Sequence, residues 1–143
     1  MTSRLSSNNK KKRILFVDDE PDLTALFCDV FKNAGHEVRG YTDPIKAYKE
    51  FIRNHDKYWL LITDVRMPGM SGVELAIKVK EKYSKMKIIL ISAFDIEYIN
   101  LNNMKKIDYF VSKPISVEKL LDIVNIQFKG HKHARRTLYV SRH

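Results

Sequence analysis

The hydrophobic positions of this chain fall into short continuous runs, separated by longer stretches with helical spacing. Residues 14–17, 59–62 and 88–91 each carry four large apolar side chains in succession. Such runs are typical of strands buried on both faces of a parallel sheet. Residues 36–41 alternate between apolar and polar side chains, so we expect a strand near a sheet edge. Residues 109–112 complete a predicted set of five strands.

The stretches between these runs carry start and stop signals for helices. A first helix is predicted to begin at Asp22, as its N-cap, and to stop at Gly35. Asp43, followed by a proline, is the predicted cap of a second helix. Ser71, with a glutamate three residues later, and Ser116 are predicted to cap two later helices.

The alternation of strands and helices predicts the fold class and the domain limits. We expect an α/β fold with a doubly wound, five-stranded parallel sheet, right-handed crossovers and five helices on its two faces. The fourth helix, within residues 95–106, is predicted to be short or irregular because its pattern is loose and rich in asparagine. Residues 1–12 are expected to form a disordered basic tail, residues 13–128 one domain and residues 129–143 a basic C-terminal tail.

The formal net charge of +9 is concentrated at the two ends of the chain. Residues 14–128 hold 16 bases and 17 acids, whereas residues 1–13 and 129–143 each hold five bases and no acid. The domain itself is therefore close to neutral. Basic tails on a neutral domain are usually solvated ends, and the alternative is an electrostatic arm for nucleic acid or an anionic membrane.

Cysteine usage and hydropathy favour an intracellular, soluble protein. The single cysteine, Cys28, has no partner for an intrachain disulfide and is expected to pack in the core. No apolar run approaches the ~18 residues of a membrane span. The N-terminus lacks the apolar segment of a signal peptide, so we expect a cytoplasmic location.

Polar side chains recur where the predicted strands end. Because parallel strands end at one edge of a sheet, these side chains would meet in one crevice if the first strand lies at the centre. Taken singly, each has an ordinary alternative role as a turn residue, a helix cap or a solvated lysine. The residues concerned are Asp18 and Asp19 after the first strand, Asp64 at the end of the third, Ser92 at the end of the fourth and Lys113 after the fifth.

This set of side chains suits phosphoryl transfer. Clustered carboxylates without histidine or cysteine nearby favour a hard divalent cation such as Mg²⁺. A carboxylate can also act as the nucleophile toward phosphorus and form an aspartyl phosphate. That reaction requires a cation, a fixed ammonium group and hydrogen-bond donors. A metal ion, Lys113 and Ser92 would supply these three.

Four short motifs in order resemble those of the receiver domains of two-component response regulators. They are V-D-D-E at 17–20, L-I-T-D-V-R-M-P-G-M-S-G at 61–72, I-S-A at 91–93 and V-S-K-P at 111–114. The resemblance covers about residues 13–128. It implies a flavodoxin-like sheet with strand order 2-1-3-4-5 and a chemotaxis-regulator-like domain.

The resemblance also implies roles at the metal site. Asp64 would be the phosphoacceptor and would contribute to the Mg²⁺ site. Asp19 would bind Mg²⁺ directly, and Asp18 would help directly or through water. The backbone carbonyl of Arg66 would complete the ligands that the protein provides.

Further roles are implied around the phosphoryl group. Ser92 would donate a hydrogen bond to one phosphoryl oxygen, and Lys113 would pair with another. Phe110 would turn inward when the Ser92 hydroxyl moves, as a switch between two states. Arg66 and Phe94, each two residues after a site residue, would tune the lifetime of the phosphoryl group.

The function expected from this resemblance is that of a stand-alone receiver. It would accept a phosphoryl group from a sensor histidine kinase or a phosphotransfer protein, and the new conformation would alter binding to a downstream protein that the sequence does not name. The only reactions it would catalyse are its own aspartyl phosphorylation and dephosphorylation. A homodimer would form through the predicted fourth helix, fifth strand and fifth helix. Residues 105–107, Lys-Lys-Ile, replace the Gly-Ala pair usual there, so we expect the fourth helix to end differently or to be irregular.

Two other classes of function stay open at this point. One is a phosphorylation-independent binding module that uses the basic tails on nucleic acid, with weak contacts. The other is an aspartate-nucleophile phosphohydrolase, which usually carries its nucleophile after the first strand and needs a substrate cap. The position of Asp64 after the third strand argues against that enzyme.

Overall fold

The five predicted strands form one parallel sheet in the order β2-β1-β3-β4-β5. The computed structural model describes residues 13–93 and 104–133. The order confirms the prediction, with the first strand between the second and the third. The strands are β1 (Arg13–Val17), β2 (Glu37–Tyr41), β3 (Tyr58–Asp64), β4 (Lys87–Ser92) and β5 (Tyr109–Ser112).

The central strands are buried on both faces, as their continuous apolar runs predict. All seven residues of β3 are buried, and four of the five in β1. In β2 the only buried residue is Val38, which agrees with the predicted position at a sheet edge. Covering both faces of β1 and β3 requires helices on each side of the sheet.

Four α-helices and one short 3₁₀ turn lie between or after the strands in the described part of the chain. The helices are α1 (Pro21–Asn33), α2 (Pro44–Asn54), α3 (Gly72–Lys82) and α4 (Val117–His133), and the turn is His55–Lys57. The prediction was five helices, and nearly all of the predicted fourth, residues 95–106, lies outside the described residues. Helix α4 is therefore the fifth predicted helix. It continues to His133, beyond the limit of 128 expected for the domain.

Three of the predicted helix caps are present. The side chain of Asp43 accepts a hydrogen bond from the N–H of Ile45 at 2.9 Å, and Ser71 accepts one from Glu74 at 3.1 Å. Ser116 accepts one from Lys119 at 3.0 Å. Each such cap stabilises its helix by roughly 1 kcal/mol, because it satisfies a backbone N–H that has no partner within the helix.

The predicted start of the first helix was wrong. The N-cap of α1 is Glu20 rather than Asp22, and its side chain makes no capping hydrogen bond. Pro21 occupies the first helical position, where its missing N–H and restricted φ favour helix initiation. Asp22 instead adds a negative charge in the first turn, which the helix dipole favours.

Two apolar layers hold the helices against the sheet. On one face, Phe16 of β1 packs with Phe27 and Phe31 of α1, and α4 covers the same layer. On the other, α2 and α3 cover a layer that includes Leu15 and Phe51. Fully burying one such side chain contributes about 1.5–3 kcal/mol. No helix in the described ranges is long and apolar enough to cross a membrane.

The register of the sheet aligns the strand ends. Val17 of β1 lies opposite Thr63 of β3, so the residues that follow each of them leave the sheet at the same level. Ser92 of β4 lies opposite Ser112 of β5. The polar residues after these strands are thus placed along one edge.

Candidate functional site

Three carboxylates converge where β1 and β3 end. Asp18 and Asp19 follow β1, and Asp64 is the last residue of β3. One oxygen from each lies within 4.8 Å of the others. Asp18 and Asp64 are buried, whereas Asp19 is half-buried. The predicted acidic cluster is therefore present, and Asp19 is its most exposed member.

Backbone contacts orient Asp64. The N–H of Val65 donates to Asp64 Oδ1 at 3.0 Å, and the Thr63 hydroxyl donates to the Asp64 carbonyl oxygen at 2.9 Å. The first residue of α3, Gly72, lies so close to the same carbonyl oxygen that an added Cβ would collide with it. Its N–H also donates to the Val65 carbonyl at 2.8 Å. Only glycine allows the loop after β3 to fold back this closely.

The start of α1 orients Asp18 in a similar way. The N–H of Glu20 donates to Asp18 Oδ1 at 2.9 Å, and the buried Thr24 hydroxyl donates to the Asp18 carbonyl at 2.8 Å. Neither contact was predicted. The one signal in the sequence was a hydroxyl at Thr24, on the face of α1 that otherwise packs apolar side chains.

Lys113 brings the opposing charge to the cluster. Its Nζ lies 3.4 Å from Asp64 Oδ1 and 3.6 Å from Asp18 Oδ2. Its backbone N–H donates to the Ser92 carbonyl at 2.9 Å, which ties the end of β5 to the end of β4. The peptide bond between Lys113 and Pro114 is cis. The predicted lysine therefore reaches two of the three carboxylates.

Burial and charge set the protonation of this site. Burial raises the pKa of the Asp64 carboxyl, and the Lys113 ammonium lowers it only partly while Asp18 raises it further. Burial lowers the pKa of Lys113, but the charges of Asp64 and Asp18 outweigh that effect and raise it overall. Three carboxylates face one ammonium group, so negative charge remains in excess.

The family model for the response regulator receiver domain matches residues 14–125. The chain belongs to this family. Receiver domains are signalling domains of two-component systems, and the site described above lies where their motifs occur in this chain. The predicted resemblance is thereby confirmed.

Three bacterial relatives share 28–32% of the aligned residues with this chain. The chain is 32% identical over 115 residues to the response regulator receiver protein CpdR of Brucella abortus, covering 80% of this chain and 92% of CpdR. It is 31% identical over 117 residues to the phosphoglycerate transport regulatory protein PgtA of Salmonella typhimurium, covering 81% of this chain and 28% of PgtA. It spans 56% of the regulatory protein RprY of Bacteroides fragilis, at 28% identity over 92% of this chain. Several relatives are therefore much longer than this chain.

Solved receiver structures share the fold. The response regulator TrrA from Thermotoga maritima, in complex with Mg²⁺ and BeF, has a TM-score of 0.71 at 32% identity, covering 80% of this chain and 97% of that one. A receiver domain protein from Clostridium thermocellum has a TM-score of 0.78 at 22% identity, covering 86% and 98% of the two chains. The second likeness shows the fold alone.

The acidic cluster of this receiver fits a magnesium ion. Receiver domains bind Mg²⁺ at an acidic pocket, and here carboxylate oxygens from Asp18, Asp19 and Asp64 supply the hard ligands that Mg²⁺ prefers. The excess of negative charge described above is what a divalent cation would neutralise. The oxygen ligands of the cluster and its excess negative charge are thus the two reasons why a magnesium ion fits there.

The other predicted residues surround this cluster at different depths. Ser92 is buried at the end of β4, and Phe110 is half-buried in β5 opposite Leu90. The Arg66 side chain is exposed and helps to line a surface cavity of about 520 Å³ beside the loop after β3. Phe94, predicted to tune the phosphoryl lifetime, lies outside the described residues.

Proposed function

We propose that Asp64 accepts a phosphoryl group from a phosphohistidine of a sensor histidine kinase or phosphotransfer protein, in a reaction that depends on Mg²⁺. The observation that carries this proposal is the placement of Lys113 Nζ at 3.4 Å from Asp64, beside the acidic cluster. A buried carboxylate with one fixed ammonium at its side and two further carboxylates in reach has the parts that phosphoryl transfer to aspartate needs.

The reaction is an in-line displacement. A carboxylate oxygen of Asp64 attacks phosphorus and a P–O bond forms, while the P–N bond to the donor imidazole breaks and that nitrogen keeps the electron pair. Mg²⁺, when bound, supplies a charge that offsets the negative oxygens. Asp18, Asp19, Asp64 and the Arg66 carbonyl would hold it. Lys113 would pair with a phosphoryl oxygen.

The conformational response would run from Ser92 to Phe110. Once Asp64 carries a phosphoryl group, the Ser92 hydroxyl donates to one of its oxygens, and Phe110 moves into the space that opens. Since phenylalanine has no hydroxyl, the two states would differ at Phe110 only in how deeply its ring is buried. Arg66, an exposed residue two positions after Asp64, and Phe94 would control the access of water to the phosphoryl group.

The output of this receiver is proposed to be altered binding to a downstream protein. Its stand-alone character, its cytoplasmic location and the homodimer through the predicted fourth helix, β5 and α4 stay predictions. The lack of catalytic activity toward other substrates is likewise a prediction. Each concerns a property of the whole protein rather than of the site.

The proposal is tested with acetyl phosphate and Mg²⁺ followed by intact mass measurement. The wild-type protein should gain one phosphoryl group that is labile to base, and chelation of Mg²⁺ should abolish the gain. Asp64→Asn should not be labelled. Asp22→Asn, which removes an exposed carboxylate near the site, should be labelled like the wild type. Absence of labelling in the wild type with acetyl phosphate and with other small phosphodonors, or full labelling of Asp64→Asn, would contradict the proposal.

A further inference from the structure

Lysine side chains crowd the edge of the sheet opposite the carboxylates. We call this group, which surrounds the C-terminal end of α3 and the starts of β4 and β5, the basic edge. Two acids accompany it, Glu81 and Asp108. Its six lysines are Lys80, Lys82, Lys85, Lys87, Lys105 and Lys106.

The charge of the domain is thus unevenly distributed, although its total is close to zero. Asp18, Asp19 and Asp64 gather where strands end, and the basic edge lies where β4 and β5 begin. The two regions are separated by the length of β4, six residues or roughly 16 Å. A ligand bound at the basic edge would leave Asp64 accessible.

At the centre of the basic edge, Asp108, one of its two acids, contacts both a lysine and a backbone N–H. Lys80 Nζ lies 3.8 Å from Asp108 Oδ2 and 3.4 Å from the Ser84 carbonyl. The same Asp108 oxygen accepts the N–H of Ile88 at 2.8 Å, so this carboxylate is already shared with the backbone. Burial lowers the pKa of Lys80, and the charges of Lys87 and Lys106 lower it further. These lysines therefore repel one another.

We propose that the basic edge binds the phosphate backbone of duplex nucleic acid without reading its sequence. The group contains lysine but no arginine, and lysine acts as a point charge rather than as a planar bidentate donor to bases. Phosphate binding needs only such charges, and it gains from the release of counterions.

Among the described residues, the basic edge has no exposed large apolar side chain. This favours nucleic acid over acidic proteins and anionic membranes as its ligand. Within the described residues, the exposed large hydrophobic side chains are Leu26, Ile45 and Ile126, and none belongs to the basic edge. Acidic protein partners and anionic membranes are usually bound with buried apolar or aromatic side chains at the centre of the contact. Charge alone, spread over three elements, matches a phosphate backbone better.

The test compares two triple variants of equal net charge in the full chain. The first, Lys82→Glu with Lys85→Glu and Lys106→Glu, reverses three exposed lysines of the basic edge. The control, Lys32→Glu with Lys49→Glu and Lys119→Glu, reverses three exposed lysines elsewhere. Binding to a labelled duplex DNA of about 20 base pairs is followed by fluorescence anisotropy across a salt series.

The basic-edge variant should bind at least tenfold more weakly than the control at low salt. Its plot of log affinity against log salt should be shallower by about 2–3, since each phosphate contact contributes about 0.9 to the slope. A variant with the same three lysines changed to glutamine should lie between the wild type and the charge reversal. The glutamine variant is used in place of the charge-reversal variant if circular dichroism shows the charge-reversal variant to be unfolded.

Three outcomes would overturn the proposal. The first is equal loss of affinity in both triple variants, which would mean that net charge or the tails dominate. The second is no DNA binding by the wild type at low salt. The third is binding of polyglutamate or of phosphatidylserine vesicles in the absence of DNA binding, which would assign the basic edge to an acidic protein or to a membrane.

Discussion

At the scale of single residues, the surroundings of Asp64 disfavour the ionisation of its carboxyl group. Its carboxyl is buried, its pKa is raised, and Asp18 stands close by. An acid whose pKa is higher in the folded than in the unfolded protein binds protons more readily when folded, so its ionisation at neutral pH reduces stability. Ionised Asp64 therefore lowers the stability of the metal-free protein, at the site that a cation and a phosphoryl group would occupy.

Replacing Asp64 by asparagine should therefore stabilise the metal-free protein. Without divalent cations, Asp64→Asn should melt at a higher temperature than the wild type at pH 7, and the difference should shrink as pH falls through the folded pKa of Asp64. Mg²⁺ should raise the melting temperature of the wild type more than that of the variant. Calorimetry with chelator and with Mg²⁺ measures both effects. Asp122→Asn, which removes an exposed carboxylate from α4, is the control, and a melting temperature of Asp64→Asn below that of the wild type would contradict this expectation.

Lys113 should matter for the rate of phosphorylation more than for folding. Lys113→Met removes the ammonium group at 3.4 Å from Asp64, and we expect phosphorylation by acetyl phosphate to slow about 100-fold, the usual cost of losing one preorganised donor. Lys119→Met removes an exposed lysine and should leave the rate unchanged. Time-resolved mass measurement gives both rates. Equal rates in the wild type and Lys113→Met would exclude the proposed role.

At the scale of elements, the close approach of α3 to β3 couples helix packing to the site. Gly72 begins α3 directly against the carbonyl of Asp64, and Ser71 caps the helix one residue earlier. The capping box was readable in the sequence because it is a local pattern. The requirement for glycine was not, since it arises from a strand end that is near only in the folded chain.

Gly72→Ala should consequently destabilise the protein strongly for a substitution that adds only one methyl group. The added Cβ would collide with the Asp64 carbonyl oxygen, and the resulting shift should destabilise the protein by about 1–3 kcal/mol. Urea unfolding measures this difference. Glu81→Ala, on the exposed face of the same helix, should change stability by less than about 0.5 kcal/mol. A Gly72→Ala variant as stable as the wild type would show that the loop relaxes freely.

At the scale of the whole molecule, a polar network closes the sheet at the edge where β1 and β3 begin. Buried Glu50 accepts a hydrogen bond from the Tyr58 hydroxyl at 2.7 Å, and Arg13 Nη1 lies 3.8 Å from the same carboxylate. Asn54 donates to both oxygens of Glu50 at 3.2 Å. This network links α2, β1 and β3 at the end of the sheet opposite the acidic cluster.

Burial, followed by the hydrogen bond to Glu50, raises the pKa of Tyr58 well above its usual value. The folded protein then keeps a proton that the unfolded chain releases near pH 10, so stability should fall as pH rises above about 10. Tyr58→Phe should remove this component and cost about 1–3 kcal/mol at neutral pH, because Glu50 loses a donor. Urea unfolding between pH 8 and about 11 tests it, with half-buried Tyr48→Phe as the control. An unchanged pH dependence in Tyr58→Phe would contradict it.

Much of the fold was predictable because its signals are local. Apolar runs and one alternating stretch identified five strands, and three helix caps were found from short motifs. The start of α1 was misplaced because Pro21 and Asp22 both carry initiation signals, and local patterns do not rank them. In the site, Asp18, Asp19, Asp64 and Lys113 were found because polar residues at strand ends stand out from apolar runs.

The sequence by itself determined the strand pattern, the identity of the converging carboxylates and the family to which the chain belongs, because each depends on residues within a short window. Only the tertiary structure decided the reach of Lys113, the need for glycine at position 72 and the Glu50 network, since these depend on distances between segments far apart in the chain. The same holds for the basic edge. A count of charges along residues 14–128 gives near neutrality, whereas folding places Asp18, Asp19 and Asp64 at one edge of the sheet and the lysines of the basic edge at the other.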